Sequence, residues 1–341
     1  MQSLVFNRGI YLSLLVGLFF PFQVVVGQGQ VPVGDQPVNR EPAGQQVPVA
    51  NVDQAVQQGI AQVPQQPFPA LTAQEQQFLN GVLTVWEQRS AGVDRYTCSF
   101  QRWEYDPGRF QHPSNPAASF FSEATGEIRY LKPDKGVYRV DEVKVLANAN
   151  PIEYRVDPKR PFGEYWICDG NWVYDRDRNT KTEKQFELPP QQRGALIENS
   201  PLRFVFGVTA EKLKQRYWLR VIQSNQKTVW IEAWPRRADD AGNYSRVQVV
   251  LSRTDILPEA LIVFKPNWTA QKDHKEIYQF SNRKESKSGG VMQNFQDFFG
   301  GQFIPGKAPN GFKVQRTPWV TPQQRVAMPP GGGVLKPGVP R

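Results

Sequence analysis

The residues that most often carry enzyme chemistry are few in this chain and stand far apart. His112 lies in the segment QHPSNP and His274 in KDHKE, and neither has a second His or Cys at the spacing of metal ligands. Acidic pairs such as Asp175 and Asp177 fall in predicted turns, which explain them better than paired-carboxylate hydrolysis does. The sequence contains neither a Gly-x-Ser-x-Gly elbow nor a Gly-rich phosphate loop ending in Lys-Ser or Lys-Thr. We therefore expect a protein that is not an enzyme and that uses no metal and no cofactor.

The two cysteines, Cys98 and Cys168, both lie in predicted strands. Export would permit a disulfide between them, and closing a loop of this length would stabilise the fold by roughly 4 kcal/mol in the chain-entropy model. Their strands need not be neighbours, however, and each side chain can instead be buried as a small apolar group. The residue pattern leaves both alternatives open.

Residues 1–27 have the form of a secretory signal peptide. Arg8 precedes an apolar run from Ile10 to Phe20, and the small residues Val25 and Gly27 mark a cleavage site. A membrane anchor fits less well, because Pro and Gln interrupt a stretch that is already shorter than the ~20 apolar residues of a span. We expect export to the periplasm or the extracellular space and a soluble chain after cleavage.

Segments of low complexity flank the predicted folded region. Residues 28–70 contain 11 Gln and 7 Pro, and their few apolar groups cannot offset the entropy of ordering, so we expect a disordered spacer. Residues 285–341 contain seven Lys and Arg against two acidic residues and predict a mostly disordered, basic, Gly/Pro-rich tail. Its aromatic segment 295–303 either packs back on the folded region or contacts a membrane surface. The basic residues are not clustered, so we expect no nucleic-acid partner.

Residues 71–284 carry the patterns of a folded domain that is rich in strands. Thr72 and Glu75 form a capping-box signature at the start of an amphipathic helix. Segments with alternating apolar residues then recur roughly every ten residues, with hairpin turns such as Asp169-Gly170 between them.

The alternation stops over residues 189–214, where Thr209 marks the start of a second, short helix. A long antiparallel sheet tends to curl on itself, and helices can close its concave side. We expect a mainly β fold with flanking helices (α+β). Its curled antiparallel meander forms a half-open barrel, with the N-terminal helix and mid-chain lid helices on the concave side.

The motifs GEIRYLKPDKGVYRV, WICDGNWVYDRDRNTKT and NSPLRFVFG, in this order, resemble the LolA/LolB-like superfamily of outer-membrane lipoprotein carriers. A closer resemblance is to an uncharacterised exported planctomycete family with that fold, through Trp166–Gly170, Pro201-Leu202, Leu213–Tyr217 and Leu257–Ala260. The resemblance covers about residues 71–284. It implies a half-open barrel that holds acyl chains under a helical lid. In the carrier superfamily an Arg helps latch this lid, and this chain has Lys132 at the matching position.

The side chains expected to line the hollow are those that face inward if the alternation is as drawn. They are Phe100, Trp103, Ile128, Tyr130, Val140, Trp172, Leu202, Phe204, Leu219, Val221, Trp230 and Val249. We expect an exported binding protein or carrier for a hydrophobic ligand, with a lipid or an acylated protein as its partner. The alternative is an envelope scaffold or protein-interaction module with a filled barrel and no ligand.

Overall fold

The computed structural model describes residues 65–193, 204–205, 209–286 and 308–320. The helices in these ranges are α1 (Ala73–Ala91), α2 (Ala210–Arg216) and α3 (Ala238–Ala241), with 3₁₀ turns at Pro116–Ala118 and Pro190–Gln192. The strands are β1 (Arg95–Tyr105), β2 (Phe120–Leu131), β3 (Lys135–Ala149), β4 (Ile152–Val156), β5 (Tyr165–Cys168), β6 (Trp172–Asp177), β7 (Thr182–Glu187), β8 (Tyr217–Ser224), β9 (Thr228–Pro235), β10 (Arg246–Ser252), β11 (Pro258–Phe264), β12 (Lys275–Ser286) and β13 (Lys313–Thr317). The predicted signal peptide, nearly all of the predicted spacer, Leu202 and the aromatic segment 295–303 lie outside the described residues.

All of these strands belong to one sheet, in the order β13-β7-β6-β5-β3-β2-β1-β12-β11-β10-β9-β8, and β4 pairs with β3 beside this path. Neighbouring strands are antiparallel, except that β13 runs parallel to β7. The sheet is open and mixed, and it is consistent with a half-open barrel. The predicted mainly β fold with flanking helices is confirmed.

Helix α1 begins at the predicted capping box. The Glu75 amide donates to Thr72 Oγ1 at 3.3 Å, and the Thr72 amide donates to Glu75 Oε2 at 2.8 Å. These two bonds satisfy amide groups that would otherwise lack partners in the first turn. The helix buries one face against the sheet through Leu79, Leu83 and Trp86.

Alternate residues of a strand point to opposite faces of the sheet. We call inner the face whose side chains join α1 in one hydrophobic core. This core extends across the sheet from Val173 in β6, through Phe100 in β1, to Leu219 in β8, and Leu213 of α2 adds to it. The core is therefore a layer between the inner face and the two helices.

Gly126 in β2 makes room for the ring of Phe100, its cross-strand partner. A Cβ atom at position 126 would lie 2.7 Å from Cζ of Phe100 and 2.0 Å from the carbonyl oxygen of Arg139. The Phe100 ring stacks on Tyr138, with 5.1 Å between the ring centroids. Only glycine fits this position without moving the ring or the backbone.

The alternative of a disulfide is wrong, because Cys98 and Cys168 are both free and buried. Cys98 lies in β1 and Cys168 in β5, and strands β2 and β3 stand between them. Three strand spacings amount to ~14 Å, about twice the Cα separation that a disulfide tolerates. Burial raises the pKa of each thiol to about 12, which keeps both protonated.

Two parts of the predicted tail are described: residues 285–286 complete β12, and residues 308–320 contain strand β13. Lys313 pairs with Thr182 at the start of β7, and the amide of Trp319 donates to Glu187 Oε2 at 3.2 Å. The tail thereby covers the outer edge of β7, which would otherwise expose unpaired backbone groups. Sequence reasoning predicted no strand here, because five residues of weak alternation between Gly and Pro resemble a loop.

Candidate functional site

Most of the predicted lining residues that the structure describes come together on the inner face. Seven of them belong to the core and are 0 to 6% exposed. They are Phe100, Ile128, Tyr130, Val140, Phe204, Leu219 and Val249. Val221 is partly buried and packs against the core. Their role in lining a ligand cavity stays a prediction.

Three predicted lining residues, Trp103, Trp172 and Trp230, lie half-buried on the outer face instead. In each strand the inward positions are those next to the tryptophan. The buried neighbours are Arg102 in β1, Val173 in β6 and both flanking residues in β9. The predicted alternation was therefore displaced by one residue at these three positions. A tryptophan can equally cover the outer face with its ring edge in water.

Lys132, the predicted latch, is exposed and lies at the end of helix α1. Its Nζ is 3.3 Å from the carbonyl oxygen of Ala91 and 4.0 Å from Oδ1 of Asp94. A cation is favourable near the carboxyl end of a helix, where the carbonyl groups lack amide partners. The contact joins the β2–β3 turn to α1, and the latching role stays a prediction.

A group of charged side chains occupies the inner face beside the apolar core. We call it the inner charge cluster and define it as Arg102, Glu104, Glu164, Lys265 and Glu276 together with Tyr138 and Tyr278. Arg102 and Glu104 continue the inward phase of Phe100 along β1, and Tyr278 and Glu276 do the same along β12.

Arg102 is the centre of this cluster. Its Nη1 donates to the Tyr138 hydroxyl oxygen and to Glu164 Oε1, both at 3.0 Å, and its Nη2 lies 2.9 Å from Glu104 Oε1. One guanidinium is therefore shared by two carboxylates from β1 and from the loop before β5. Lys265 is ion-paired with Glu276, whose second oxygen accepts from the Tyr278 hydroxyl at 3.0 Å.

Glu104 and Glu276 are paired across β1 and β12, and their pKa values are shifted in opposite directions. Burial raises the pKa of Glu104, and Arg102 offsets this only in part. Burial also acts on Glu276, but Lys265 and Arg102 outweigh it and hold the pKa at about 2. Charged groups with strongly perturbed pKa values in an enclosed position mark candidate functional sites.

Arg102 is more deeply buried than the two carboxylates that share it. The side chain of Arg102 is 5% exposed, against 19% for Glu104 and 29% for Glu164. Ion pairs buried to this extent contribute little net stability, because desolvation costs about as much as the attraction gains.

Sequence reasoning missed this cluster although a signal was present. In RYTCSFQRWEY the inward positions Tyr96, Cys98 and Phe100 are followed, in the same phase, by Arg102. In KEIYQFS, Phe280 is preceded in the same phase by Tyr278 and Glu276. A charged residue in the apolar phase of two neighbouring strands predicts a buried polar site, and only apolar residues were counted.

The two histidines show no ligand-like arrangement. Nδ1 of His112 accepts from the amides of Ser114 and Asn115 at 3.2 and 3.0 Å and so shapes its own loop. His274 is half-buried, and burial lowers its pKa. Among the described residues, His, Cys, Asp and Glu side chains form no group of three that could hold a metal ion.

Helices in the described ranges are too short or too polar to cross a membrane.

Comparison of the sequence with protein-family models and with curated proteins gave no match. Several solved structures are similar. A putative outer membrane lipoprotein-sorting domain from Vibrio parahaemolyticus matches 64% of this chain and 96% of its own, with a TM-score of 0.31 and 11% identity. A LolA superfamily protein from Nitrosomonas europaea matches 64% and 95%, with a TM-score of 0.28 and 8% identity. The Pseudomonas aeruginosa MucA/MucB complex matches 66% and 61%, with a TM-score of 0.29 and 14% identity. The solved structures that resemble this chain thus include a LolA superfamily protein and an outer membrane lipoprotein-sorting domain, the resemblance that the motifs predicted.

Proposed function

We propose that this chain is an exported, non-enzymatic binding protein or carrier for a hydrophobic ligand, a lipid or a lipoprotein acyl chain. One observation carries the proposal: the inner face presents a continuous apolar layer, from Val173 in β6 to Leu219 in β8, to which helices α1 and α2 contribute, and all described strands lie in one sheet. Helices can move away from a sheet as units, and an acyl chain can replace their apolar side chains. Each Å² of apolar ligand surface buried there contributes about 25 cal/mol.

The helices are tied to each other and to the sheet by a few polar contacts at their ends. Glu87 Oε2 of α1 accepts from the amide of Ala210, the first residue of α2, at 3.1 Å. Arg89 near the end of α1 donates to the carbonyl oxygen of Asp255 at 3.0 Å and is ion-paired with Glu285. Partly exposed contacts of this kind are weak, so movement of α1 costs mainly the apolar contacts that a ligand would restore. Helix α2 is held more firmly, because Arg216 at its end donates to both oxygens of the buried Asp240 at 2.5 and 2.6 Å.

The inner charge cluster does not favour an enzymatic alternative. An acid–base pair requires one carboxylate that is free to take up a proton from a substrate. Both oxygens of Glu276 are occupied, one by Lys265 and the other by Tyr278. Glu164 likewise accepts from Arg102 through both oxygens, and Glu104 is ion-paired with the same guanidinium.

The test is the uptake of a fluorescent fatty-acid probe by the full chain, with native mass spectrometry of the protein purified from an envelope extract. We expect saturable probe binding that unlabelled alkyl compounds displace. The variant Glu87→Ala, which removes the hydrogen bond between α1 and the Ala210 amide of α2, should take up the probe faster. Glu211→Ala is the matched control, since Glu211 is an exposed residue of α2 whose carboxylate accepts a hydrogen bond from Gln215 of the same helix. Absence of both probe uptake and co-purified lipid would refute the proposal.

A second candidate is a scaffold or protein-interaction module with a filled barrel. It is favoured by the near-complete burial of the inner-face side chains, such as Val140 and Val249, which are 0% exposed. In that case probe binding is absent and a protein partner co-purifies with the full chain. Contact of the basic tail with anionic lipid belongs to either candidate, and flotation with anionic liposomes, with and without residues 321–341, tests it.

A further inference from the structure

We propose that the inner charge cluster is a headgroup site that selects ligands with a cationic end, an amine or a quaternary ammonium, attached to an apolar chain. The inference rests on the proposed function, because it names the class of ligand for the same inner face.

The charges of the cluster do not balance. Glu104, Glu164 and Glu276 face two cations, and Arg102 is shared by the first two carboxylates while Lys265 is engaged by the third. The cluster therefore carries one negative charge in excess when its carboxylates are ionised. A buried or half-buried excess charge is costly unless the carboxyl takes up a proton, which the raised pKa of Glu104 favours, or a counter-charge reaches it. A ligand cation supplies that counter-charge.

The position of the cluster joins the headgroup to the apolar layer. Arg102 pairs with Tyr278, Tyr278 pairs with Leu261, and Leu261 pairs with Val249. These residues form one cross-strand row on the inner face, and Val249 belongs to the core. Three strand spacings separate Arg102 from Val249, ~14 Å. An amphiphile whose headgroup sits at the cluster thus has its chain directed along the apolar row.

The more open side of the cluster is acidic. Glu104 and Glu164 are several times more exposed than the guanidinium they share. A group arriving from solvent therefore meets carboxylate oxygens before it meets Arg102. An anionic headgroup would meet the wrong charge first, which opposes binding of a fatty acid in this orientation.

An independent observation also indicates a polar ligand atom. Arg102 is 4% exposed, and among the described residues its Nε–H finds no hydrogen-bond acceptor. A buried donor without an acceptor is costly, and a ligand oxygen close to the cation, such as a hydroxyl, would accept from it. In addition, a ligand cation beside Glu104 would oppose the effect of burial on the pKa of this carboxyl.

The experiment compares three ligands with the same twelve-carbon chain on the full-length chain: dodecyltrimethylammonium, dodecanol and dodecanoate, each below its micelle concentration, by isothermal titration calorimetry at pH 7.5. We expect the ammonium compound to bind at least ~10-fold more tightly than dodecanoate. Glu104→Gln should reduce the affinity for the ammonium compound roughly 5- to 10-fold and leave the affinity for dodecanol unchanged. The control is Glu142→Gln, since Glu142 lies on the outer face and pairs with Lys144.

The outcomes separate this inference from the proposed function. If dodecanol and both charged compounds fail to bind, the proposed function fails. If dodecanol binds but dodecanoate binds as tightly as the ammonium compound, or Glu104→Gln leaves the ammonium affinity unchanged, only the headgroup inference is overturned. Should Glu104→Gln not fold by circular dichroism, Glu164→Gln removes the more exposed carboxylate and serves the same test.

Discussion

The guanidinium of Arg316 lies over the ring of Trp172, with 4.2 Å from its Cζ to the ring centroid. This contact links the tail strand β13 to β6, one strand beyond the β7 edge that β13 pairs with. All five side chains of β13 are exposed, so the backbone ladder and this stacking contact hold the tail. The outward position of Trp172, which differs from the predicted one, thus has a structural use.

Replacing Arg316→Ala should loosen the tail without affecting the rest of the fold. A cation–π contact at an exposed site contributes ~0.5–1 kcal/mol, so the amides of residues 313–317 should exchange a few-fold faster in hydrogen–deuterium exchange. Lys313→Ala is the control, because Lys313 is also basic and exposed but pairs with Thr182 through its backbone. Equal exchange in both variants would show that Trp172 does not anchor the tail.

Gly126→Ala should destabilise the fold by roughly 2–4 kcal/mol, because the new methyl group overlaps the Phe100 ring and the Arg139 carbonyl. Gly81→Ala is the matched control. A Cβ at Gly81 in α1 meets no atom within 4 Å, and replacing a helical glycine by alanine stabilises by up to ~1 kcal/mol. Denaturant unfolding measures both variants. A small loss at position 126, comparable with the change at position 81, would contradict the packing described here.

Local features of the fold were more predictable from the sequence than contacts between distant strands. The capping box at Thr72, the hairpin at Asp169-Gly170 and the helix after Thr209 depend on contacts within a few residues, and each is present as predicted. Local geometry and turn chemistry determine these features, so the residues concerned carry the whole signal. The mainly β fold follows from repeated alternation for the same reason.

The site was less predictable because it depends on contacts between distant strands. Arg102 meets Glu164 across 62 residues and Tyr138 across 36, and only the strand order brings them together. The phase of the aromatic residues was a second difficulty. The prediction placed Trp103, Trp172 and Trp230 inward, but Val173 and both neighbours of Trp230 belong to the core, and Arg102 holds the inward phase beside Trp103. Side-chain size does not determine the face of a strand, whereas the phase of its whole alternating set does.

The two cysteines should behave as unreactive thiols in the native protein. Burial raises the pKa of both to about 12, so the thiolate that reacts with thiol reagents is scarce at neutral pH. We expect two free thiols by Ellman titration in denaturant and almost none without it. Protein secreted into an oxidising compartment should have the same mass before and after reduction. A loss of two mass units on oxidation would mean that β1 and β5 approach each other.

The free energy of unfolding should fall with rising pH because of Asp175, whereas the neighbouring Asp177 should make it rise with pH. Burial raises the pKa of Asp175 to about 6, with Lys184 opposing and Asp177 and Glu164 adding to the shift. The native state therefore holds this proton between about pH 4 and pH 6 while the unfolded chain loses it, so stability falls as pH rises through that window. Asp175→Asn should be more stable than the wild type above pH 6, by roughly 1–2 kcal/mol once solvent screening is allowed for, and the difference should vanish near pH 4.

For Asp177 burial alone would raise the pKa, but hydrogen bonds from Thr180 and Asn179 lower it overall. Its Oδ1 accepts from the amides of Asn179 and Thr180 at 2.8 and 3.1 Å. The carboxylate therefore contributes stability above the unfolded pKa of about 3.9, and this contribution is lost as pH falls through the lower folded value. Asp177→Asn should lose stability at pH 7 and approach the wild type in acid. Thermal unfolding of both variants between pH 3 and pH 8 measures the two slopes, and slopes of the same sign would contradict the burial of Asp175 beside Glu164.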